Sequence, residues 1–185
     1  MNETLVRKLF ERLCEKSRAL AALAVMEVVE PGPPASEADL SRLEAHLGRP
    51  VPSSLRALLR CSNGAPNLLV FFDLLAVDEM LPGSAAHERA AGLAKRFVDG
   101  VPLIPEGVLV FADKRGDQPD CVYLDPHRAS PDGEWRVVTF DHEADDDIVD
   151  ASLITFLERM NGRFALLLED ASGDFELATE EQALE

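Results

Sequence analysis

The sequence lacks the motifs that mark the common classes of enzyme. It has no Gly-x-Ser-x-Gly nucleophile turn, no Walker pattern and no Gly-x-Gly-x-x-Gly phosphate loop. No two of its 4 histidines have the i, i+4 spacing of a zinc-binding helix. Paired carboxylates are abundant, but in so acidic a chain they arise by chance and do not by themselves indicate acid–base catalysis. We therefore predict a protein that is not an enzyme and that uses no cofactor and no catalytic metal.

Long hydrophobic runs and regularly spaced cysteines are also missing. No apolar run reaches the roughly 18 residues that a membrane-spanning helix needs. The first residues, Met-Asn-Glu-Thr, have no basic region that leads into an apolar core, so we expect no signal peptide. The 3 cysteines, Cys14, Cys61 and Cys121, are an odd number at wide spacing without a zinc pattern. Such cysteines are typical of reduced thiols, which predicts a cytoplasmic location.

Positive charge is scarce. The 185 residues include 18 Lys and Arg against 34 Asp and Glu, which gives a formal net charge of −16. Nucleic acids and anionic membrane surfaces are polyanions, so we do not expect the chain to bind either. A strongly negative surface attracts a basic protein instead and speeds its encounter. The same charge can also serve solubility alone, and composition does not decide between the two interpretations.

The sequence does contain a helical hairpin with clear boundary signals. Ser36 is a good N-cap residue, and Asp39 three residues later favours a capping box. Gly48 is typical of the end of this first helix, and Ser53 or Ser54 can cap a second one. Leucines at helical spacing give each helix an apolar side. On these residues alone, the segment is an αα-hairpin that contributes to a core.

The remaining chain alternates between predicted helices and predicted strands. Apolar spacing predicts helices over residues 3–29, 85–97 and 148–160. Short apolar runs predict strands over residues 68–72, 107–112, 120–125, 135–140, 164–168 and 175–177. Pro-Gly-Pro-Pro at residues 31–34 predicts a stiff linker. The length is that of one domain with extensions.

Three segments of the chain follow one another in a recognisable order and spacing. The first is Leu-Gly, then Pro-x-Pro-x-x-Leu-x-x-Leu-Leu, then Asn-Gly, over residues 47–64. The second is the predicted hairpin of residues 108–125, with a Gly-Asp turn and a strand that ends in Asp. The third is the strand of residues 135–140 followed by Ser-Leu-Ile-Thr-Phe-Leu at residues 152–157. Together with the first helix of the hairpin they cover residues 36–161, and in this order and spacing they resemble the SUKH superfamily.

The resemblance implies an α+β fold, with an antiparallel sheet of four to six strands flanked by helices and an extra N-terminal helix. It divides the chain into an N-terminal helix with a Pro-rich linker (residues 1–34), a SUKH-like domain (35–168) and an acidic C-terminal extension (169–185). The superfamily includes fungal regulators of cell-wall synthesis and many bacterial immunity proteins. It therefore implies a bacterial immunity protein that blocks a toxin, for example a nuclease, by covering its active site or substrate groove.

Two other functions stay open. The fungal relatives imply a regulatory scaffold in which the helix over residues 3–29 binds another protein or a second copy of the chain, as in a homodimer. The acidic residues 141–150 could instead hold Ca²⁺ or Mg²⁺ in a metal-dependent hydrolase, although they lack the Gly and Glu of an EF-hand loop. A structural role is a further interpretation, because residues 145–147 precede the predicted helix, where carboxylates cap free N–H groups.

The candidate partner-binding face combines acids with two aromatic side chains. From Asp113 to Asp150 the chain has 12 acidic and 4 basic residues, so negative charge is concentrated around the predicted sheet. If one face of the sheet is open, Tyr123 and Trp135 would be apolar anchors among the carboxylates. The expected partner is a basic protein, such as a cognate toxin domain. The predicted binding acids are Asp113, Asp117, Asp120, Asp125, Asp141, Glu143, Asp145, Asp146 and Asp147.

Overall fold

The computed structural model describes residues 2–27, 30–69, 72–98, 100–114, 119–144 and 146–182, with side chains through residue 173. Its helices are α1 (Asn2–Ala22), α2 (Glu37–Leu47), α3 (Ser53–Cys61), α4 (Val77–Met80), α5 (Ala85–Ala94) and α6 (Leu153–Gln182). Its strands are β1 (Asp73–Leu74), β2 (Phe97–Val98), β3 (Val101–Pro102), β4 (Leu109–Asp113), β5 (Cys121–Ala129), β6 (Trp135–Phe140) and β7 (Ile148–Asp150).

Five of the strands form one antiparallel sheet in the order β1-β4-β5-β6-β7. The long strand β5 is central, and β7 lies at one edge. Strands β2 and β3 form a separate two-stranded hairpin. The predicted α+β class, with an antiparallel sheet of this size and an N-terminal helix, is confirmed.

The two faces of the sheet meet different helices. On one face, Leu124 and Val137 lie in register with Asp150, which binds Arg159 of α6. On the other face, Val110 lies opposite Tyr123 at the next register position. Val110 lines a cavity together with residues of α5. Helix α6 therefore covers one face of the sheet, and α5 lies over β4 on the other.

Helix α1 packs on α6 and α3 and so belongs to the same core. Its apolar side is buried; the buried hydrophobic residues are Val6, Leu9, Phe10, Leu13, Cys14 and Leu20. Further along, the Phe156 ring of α6 meets the Phe111 ring of β4 edge to face, with centroids 5.8 Å apart. Helix α6 thus lies between the sheet and α1.

The helical hairpin has the predicted first cap. The Ser36 hydroxyl accepts a hydrogen bond from the Asp39 backbone N–H at 3.2 Å, and the Asp39 carboxylate accepts one from the Ser36 N–H at 2.9 Å. Hydrogen bonds from Ser36 and then Arg42 lower the pKa of Asp39 to about 2. Gly48 ends α2 with a φ of 65°, the left-handed conformation that glycine adopts without strain.

The second cap differs from the prediction. The N-cap position of α3 is Pro52, which has no side-chain cap. The buried carboxylate of Glu134, just before β6, takes that role: it accepts from the Ser54 N–H at 3.2 Å and from the Ser53 hydroxyl at 2.8 Å. A carboxylate at this end of the helix is also favoured by the helix dipole. Both serines bind Glu134 and do not cap their own helix.

Three predicted strand segments are wrong. Leu68 and Leu69 lie in a turn, the strand that follows is β1, and residues 70–71 lie outside the described residues. Residues 164–168 and 175–177 do not form a terminal hairpin, because α6 continues through both segments. The apolar spacing of residues 153, 157, 160 and 164, all buried, holds this helix against its neighbours.

Packing of α1 into the core predicts a large effect of Leu13→Ala on stability. Leu13 is 0% exposed, whereas Leu5 on the same helix is 39% exposed. The cavity left by Leu13→Ala should lower the free energy of unfolding by about 2–5 kcal/mol, measured by urea denaturation. Leu5→Ala is the matched control and should change it by about 0.5 kcal/mol or less. Equal, small effects of both substitutions would contradict the packing described here.

Candidate functional site

The predicted acidic face divides into a buried and an exposed part. Asp113, Asp120 and Asp125 are buried in the sheet. Asp141, Glu143, Asp146 and Asp147 are exposed in the connection between β6 and β7. Asp117 and Asp145 lie outside the described residues. The predicted acids therefore do not form one continuous open face.

Tyr123 and Trp135 are part of the core and are not exposed anchors, which corrects the prediction. Both side chains are buried. Tyr123 lies in the centre of the sheet between Val110 and Val138, and its burial raises the pKa of the phenol far above the usual value. Trp135 begins β6 opposite Ala129. Because α5 and α6 lie on opposite faces of the sheet, neither face is open at these residues, and the strand pattern alone does not show this.

The buried acids are compensated by neighbouring donors. The Asp113 carboxylate forms an ion pair with Arg89 of α5, which ties that helix to the end of β4. Asp125 accepts a hydrogen bond from the His127 N–H at 2.9 Å. It also lies 3.6 Å from the Arg128 guanidinium. These carboxylates stabilise the structure and offer little charge to a partner.

Asp120 anchors the exposed connection between β6 and β7 to the sheet. Its carboxylate accepts hydrogen bonds from the His142 ring Nδ1 at 2.5 Å, from the His142 backbone N–H at 3.1 Å and from Lys114 Nζ at 3.1 Å. Burial alone would raise the pKa of Asp120, but the bonds from His142 and Lys114 outweigh it and lower the pKa. The carboxylate is thus held ionised at the start of the loop.

Asp120 and His142, together with Asp141, form the one group among the described residues whose ligand atoms have the spacing of a metal site. Ligand atoms of Asp120, Asp141 and His142 lie within 4.8 Å of one another. Asp120 is already bonded to the Lys114 ammonium, and Asp141 accepts from the Glu143 N–H at 3.0 Å. A cation here would compete with Lys114 for Asp120. The arrangement fits an internal ion pair better than the metal site of a hydrolase.

The exposed part of the predicted face is a compact acidic loop. We call residues 141–147 the acidic loop; its described acids are Asp141, Glu143, Asp146 and Asp147. In the described part of the chain none of the four pairs with a Lys or Arg side chain. Desolvation by the surrounding protein and then the charge of Asp146 raise the pKa of Asp147. This loop carries the charge that a partner can meet.

The acidic loop leads into a strand and not into a helix. Residues 148–150 form β7, so the predicted helix over 148–160 begins late, at Leu153, and Asp146 and Asp147 do not cap it. The Ser152 hydroxyl accepts from the Thr155 N–H at 3.3 Å in their place. Two signals in the sequence point to this boundary: the β-branched pair Ile148-Val149 and the N-cap residue Ser152.

Strand β7 is exposed yet firmly held. Ile148 is 45% and Val149 50% exposed, beside the acidic loop. Asp150 is buried and accepts from Arg159 of α6 through both carboxylate oxygens, at 3.2 and 2.6 Å. Arg159 also donates to the Thr139 hydroxyl of β6 at 3.0 Å. One side of β7 is thus fixed to β6 and α6, while its two apolar side chains face solvent.

Comparison with family models identifies the family of the chain. The model of the SMI1 / KNR4 family (SUKH-1) matches residues 34–171, which run from just before α2 into α6. The chain belongs to the SMI1/KNR4 family. This confirms the resemblance of the three segments. No curated protein matches the chain significantly.

The SMI1/KNR4 family is generally non-enzymatic, which agrees with the missing catalytic motifs. Helix α1 precedes the matched region but packs against α3 and α6 within it. In the described residues, no helix is long and apolar enough to cross a membrane. The family assignment and the geometry together make binding surfaces the candidates for the functional site.

This SMI1/KNR4 domain also has a cavity beside α5, which sequence reasoning missed. Its volume is about 370 Å³, and it lies between α5 and residues 104–110. The His46 and His87 rings meet edge to face at its lining, 5.5 Å apart. Apolar side chains such as Met80 and Ile104 form its floor. No predicted site residue lines it, so it is separate from the acidic loop.

The ion pair that holds β7 predicts the effect of Arg159→Met. Removing one partner leaves Asp150 as a buried charge without its guanidinium, which should lower the free energy of unfolding by about 3 kcal/mol or more. Arg163→Met, at an exposed position one turn later, is the control and should cost about 0.5 kcal/mol or less. Denaturant unfolding measures both. A loss for Arg159→Met no larger than that for Arg163→Met would show that the pair does not hold the strand.

Proposed function

We propose that this domain is a binding protein that neutralises a basic bacterial toxin domain, in the manner of an immunity protein. The observation that carries the proposal is the acidic loop, whose exposed carboxylates have no Lys or Arg partner among the described residues and adjoin exposed Ile148 and Val149. Charged groups around an apolar centre are the usual composition of a specific interface.

Around the sheet, the acidic loop is the part whose carboxylates are left uncompensated in the described residues. Asp113 is compensated by Arg89, and Asp120 by Lys114. The loop acids are not compensated in this way, and the whole chain carries −16. Such a surface steers a basic partner toward itself and raises the rate of encounter.

The same attraction between opposite charges explains how binding would inhibit the toxin. An enzyme that acts on nucleic acid presents a basic groove to the phosphates of its substrate. An acidic loop on a rigid sheet can occupy that groove and exclude the substrate. A nuclease toxin is therefore the partner class that this proposal favours.

The alternative of a regulatory scaffold has less support. It requires the apolar side of α1 to bind another protein or a second copy, but that side is buried against α3 and α6. Leu5 is the exposed large hydrophobic residue that remains on this helix. A scaffold would have to use another surface.

Neutralising the acidic loop should weaken partner binding. The variant Asp141→Asn, Glu143→Gln, Asp146→Asn, Asp147→Asn removes four negative charges without adding bulk. The control Glu11→Gln, Glu15→Gln, Glu158→Gln, Glu169→Gln removes four from exposed helical positions. Tagged proteins are used to capture partners from the cells in which the protein occurs, at low and at roughly 0.5 M salt, where charges are screened within a few ångströms.

The proposal predicts that the wild type and the control variant both capture a basic toxin domain. The amount captured should be smaller at high salt. The loop variant should bind the recovered domain at least about tenfold more weakly, equivalent to about 1.4 kcal/mol. If the loop and control variants bind equally, the loop is not the binding surface. If the captured proteins are not basic, the immunity function itself is wrong.

A further inference from the structure

The two edges of the five-stranded sheet differ in the hydrogen bonding of their outward backbone groups. At the β1 edge, Ala65 and Leu74 exchange two backbone hydrogen bonds of 2.9 Å, so a further residue covers that strand. At the β7 edge, the residues that the structure describes make no backbone hydrogen bond to Ile148–Asp150 other than the ladder with β6. The outward backbone groups of β7 are available to another strand.

The side chains of β7 also suit an added strand. Successive residues of a strand point to opposite faces, so Ile148 and Val149 expose apolar surface on both sides of this edge. Their exposed fractions are 45% and 50%. Asp150, in contrast, is turned inward and bound by Arg159, so the edge is rigid before anything docks. A preformed edge reduces the entropy lost on binding.

Charge determines which kind of added strand the β7 edge favours. The acidic loop directly precedes β7, so two copies that paired through this edge would place two such loops only one length of β7 apart, roughly 10 Å, in chains of charge −16 each. This repulsion disfavours self-pairing and is a common protection of natural sheet edges. An extended segment rich in Lys or Arg meets attraction at the same place.

We propose that β7 is a docking edge that takes an extended basic segment of the partner as a sixth strand of the sheet. Main-chain hydrogen bonds to β7 supply affinity, and the acidic loop selects basic side chains. This mode of binding rests on the proposed function, because it names the part of the basic partner that the domain engages.

The test uses defined peptides as probes. An eight-residue peptide of alternating lysine and valine is added to the full chain at about 0.01 M ionic strength, where charges interact over about 30 Å. A second peptide replaces lysine by glutamate, and a third keeps the lysines but has proline in place of the two central valines. Amide hydrogen exchange then reports on each segment of the protein.

Strand addition predicts saturable binding of the lysine–valine peptide and about tenfold slower exchange within residues 147–150. The glutamate peptide should not bind. The proline peptide has the same charge but lacks central N–H donors, so it should not protect the edge. Ile148→Ala with Val149→Ala should weaken binding of the first peptide about five- to tenfold. The control, Val98→Ala with Val101→Ala on the exposed hairpin of β2 and β3, should leave it unchanged.

Three results would overturn strand addition: no binding of the lysine–valine peptide, protection that falls outside residues 147–150, or equal binding of the proline peptide. These results are separable from failure of the proposed function. A basic toxin domain that is captured and depends on the acidic loop, together with any of the three, would retain the function and reject the docking edge. Capture of proteins that are not basic would reject both.

Discussion

The ion pair between Arg159 and Asp150 is the constraint on which the arrangement of β7 and of the proposed binding surface depends. The guanidinium bonds both oxygens of Asp150 on β7 and the hydroxyl of Thr139 on β6, and it lies 5.3 Å from the centroid of the Phe156 ring. One side chain therefore joins the last two strands to α6 on the inner face of the sheet. Because β7 is only three residues long, the ladder with β6 alone would hold it weakly. Because α6 holds β7 from the inner face of the sheet, the backbone groups at the outer edge of β7 stay available.

Buried and exposed carboxylates differ in whether a neighbouring group compensates their charge. Within the sheet, a carboxylate is buried only where a cation or an N–H group meets it, as Arg89 meets Asp113 and Lys114 meets Asp120. Outside the sheet, the acidic loop has no such compensation in the described part of the chain. The His142–Asp120 hydrogen bonds then fix where this loop leaves the sheet. Part of the net charge of −16 is thus presented at a defined position beside β7.

Local signals were sufficient for much of the fold. Ser36, Asp39 and Gly48 act within one helical turn of the ends they define, so the boundaries of α2 could be predicted from sequence. The strand over 135–140 is likewise set by its own β-branched and aromatic residues. The order of such elements carried the family resemblance, which the match over residues 34–171 confirms.

Pairings between distant residues were not predictable in this way. Arg89 lies 24 positions from Asp113, and Glu134 binds Ser54 of α3, which lies 80 positions earlier, so neither the burial of these acids nor their role is visible locally. Tyr123 and Trp135 were misplaced for the same reason, since which face of a strand is covered depends on α5 and α6. The described loop acids are exposed as predicted, whereas the exposed apolar side chains beside them are Ile148 and Val149 and not the predicted aromatic pair.

The central claim is that a basic partner binds at β7 beside the acidic loop. The most direct measurement places a photo-crosslinking phenylalanine analogue at Val149 and, in a separate protein, at Leu166, which is 61% exposed on α6. Each protein is irradiated in the cells in which it occurs, and the crosslinked products are identified by mass spectrometry. The account predicts a basic protein crosslinked from position 149 and none from position 166. Crosslinking of the same basic protein from position 166, with none from position 149, would contradict it.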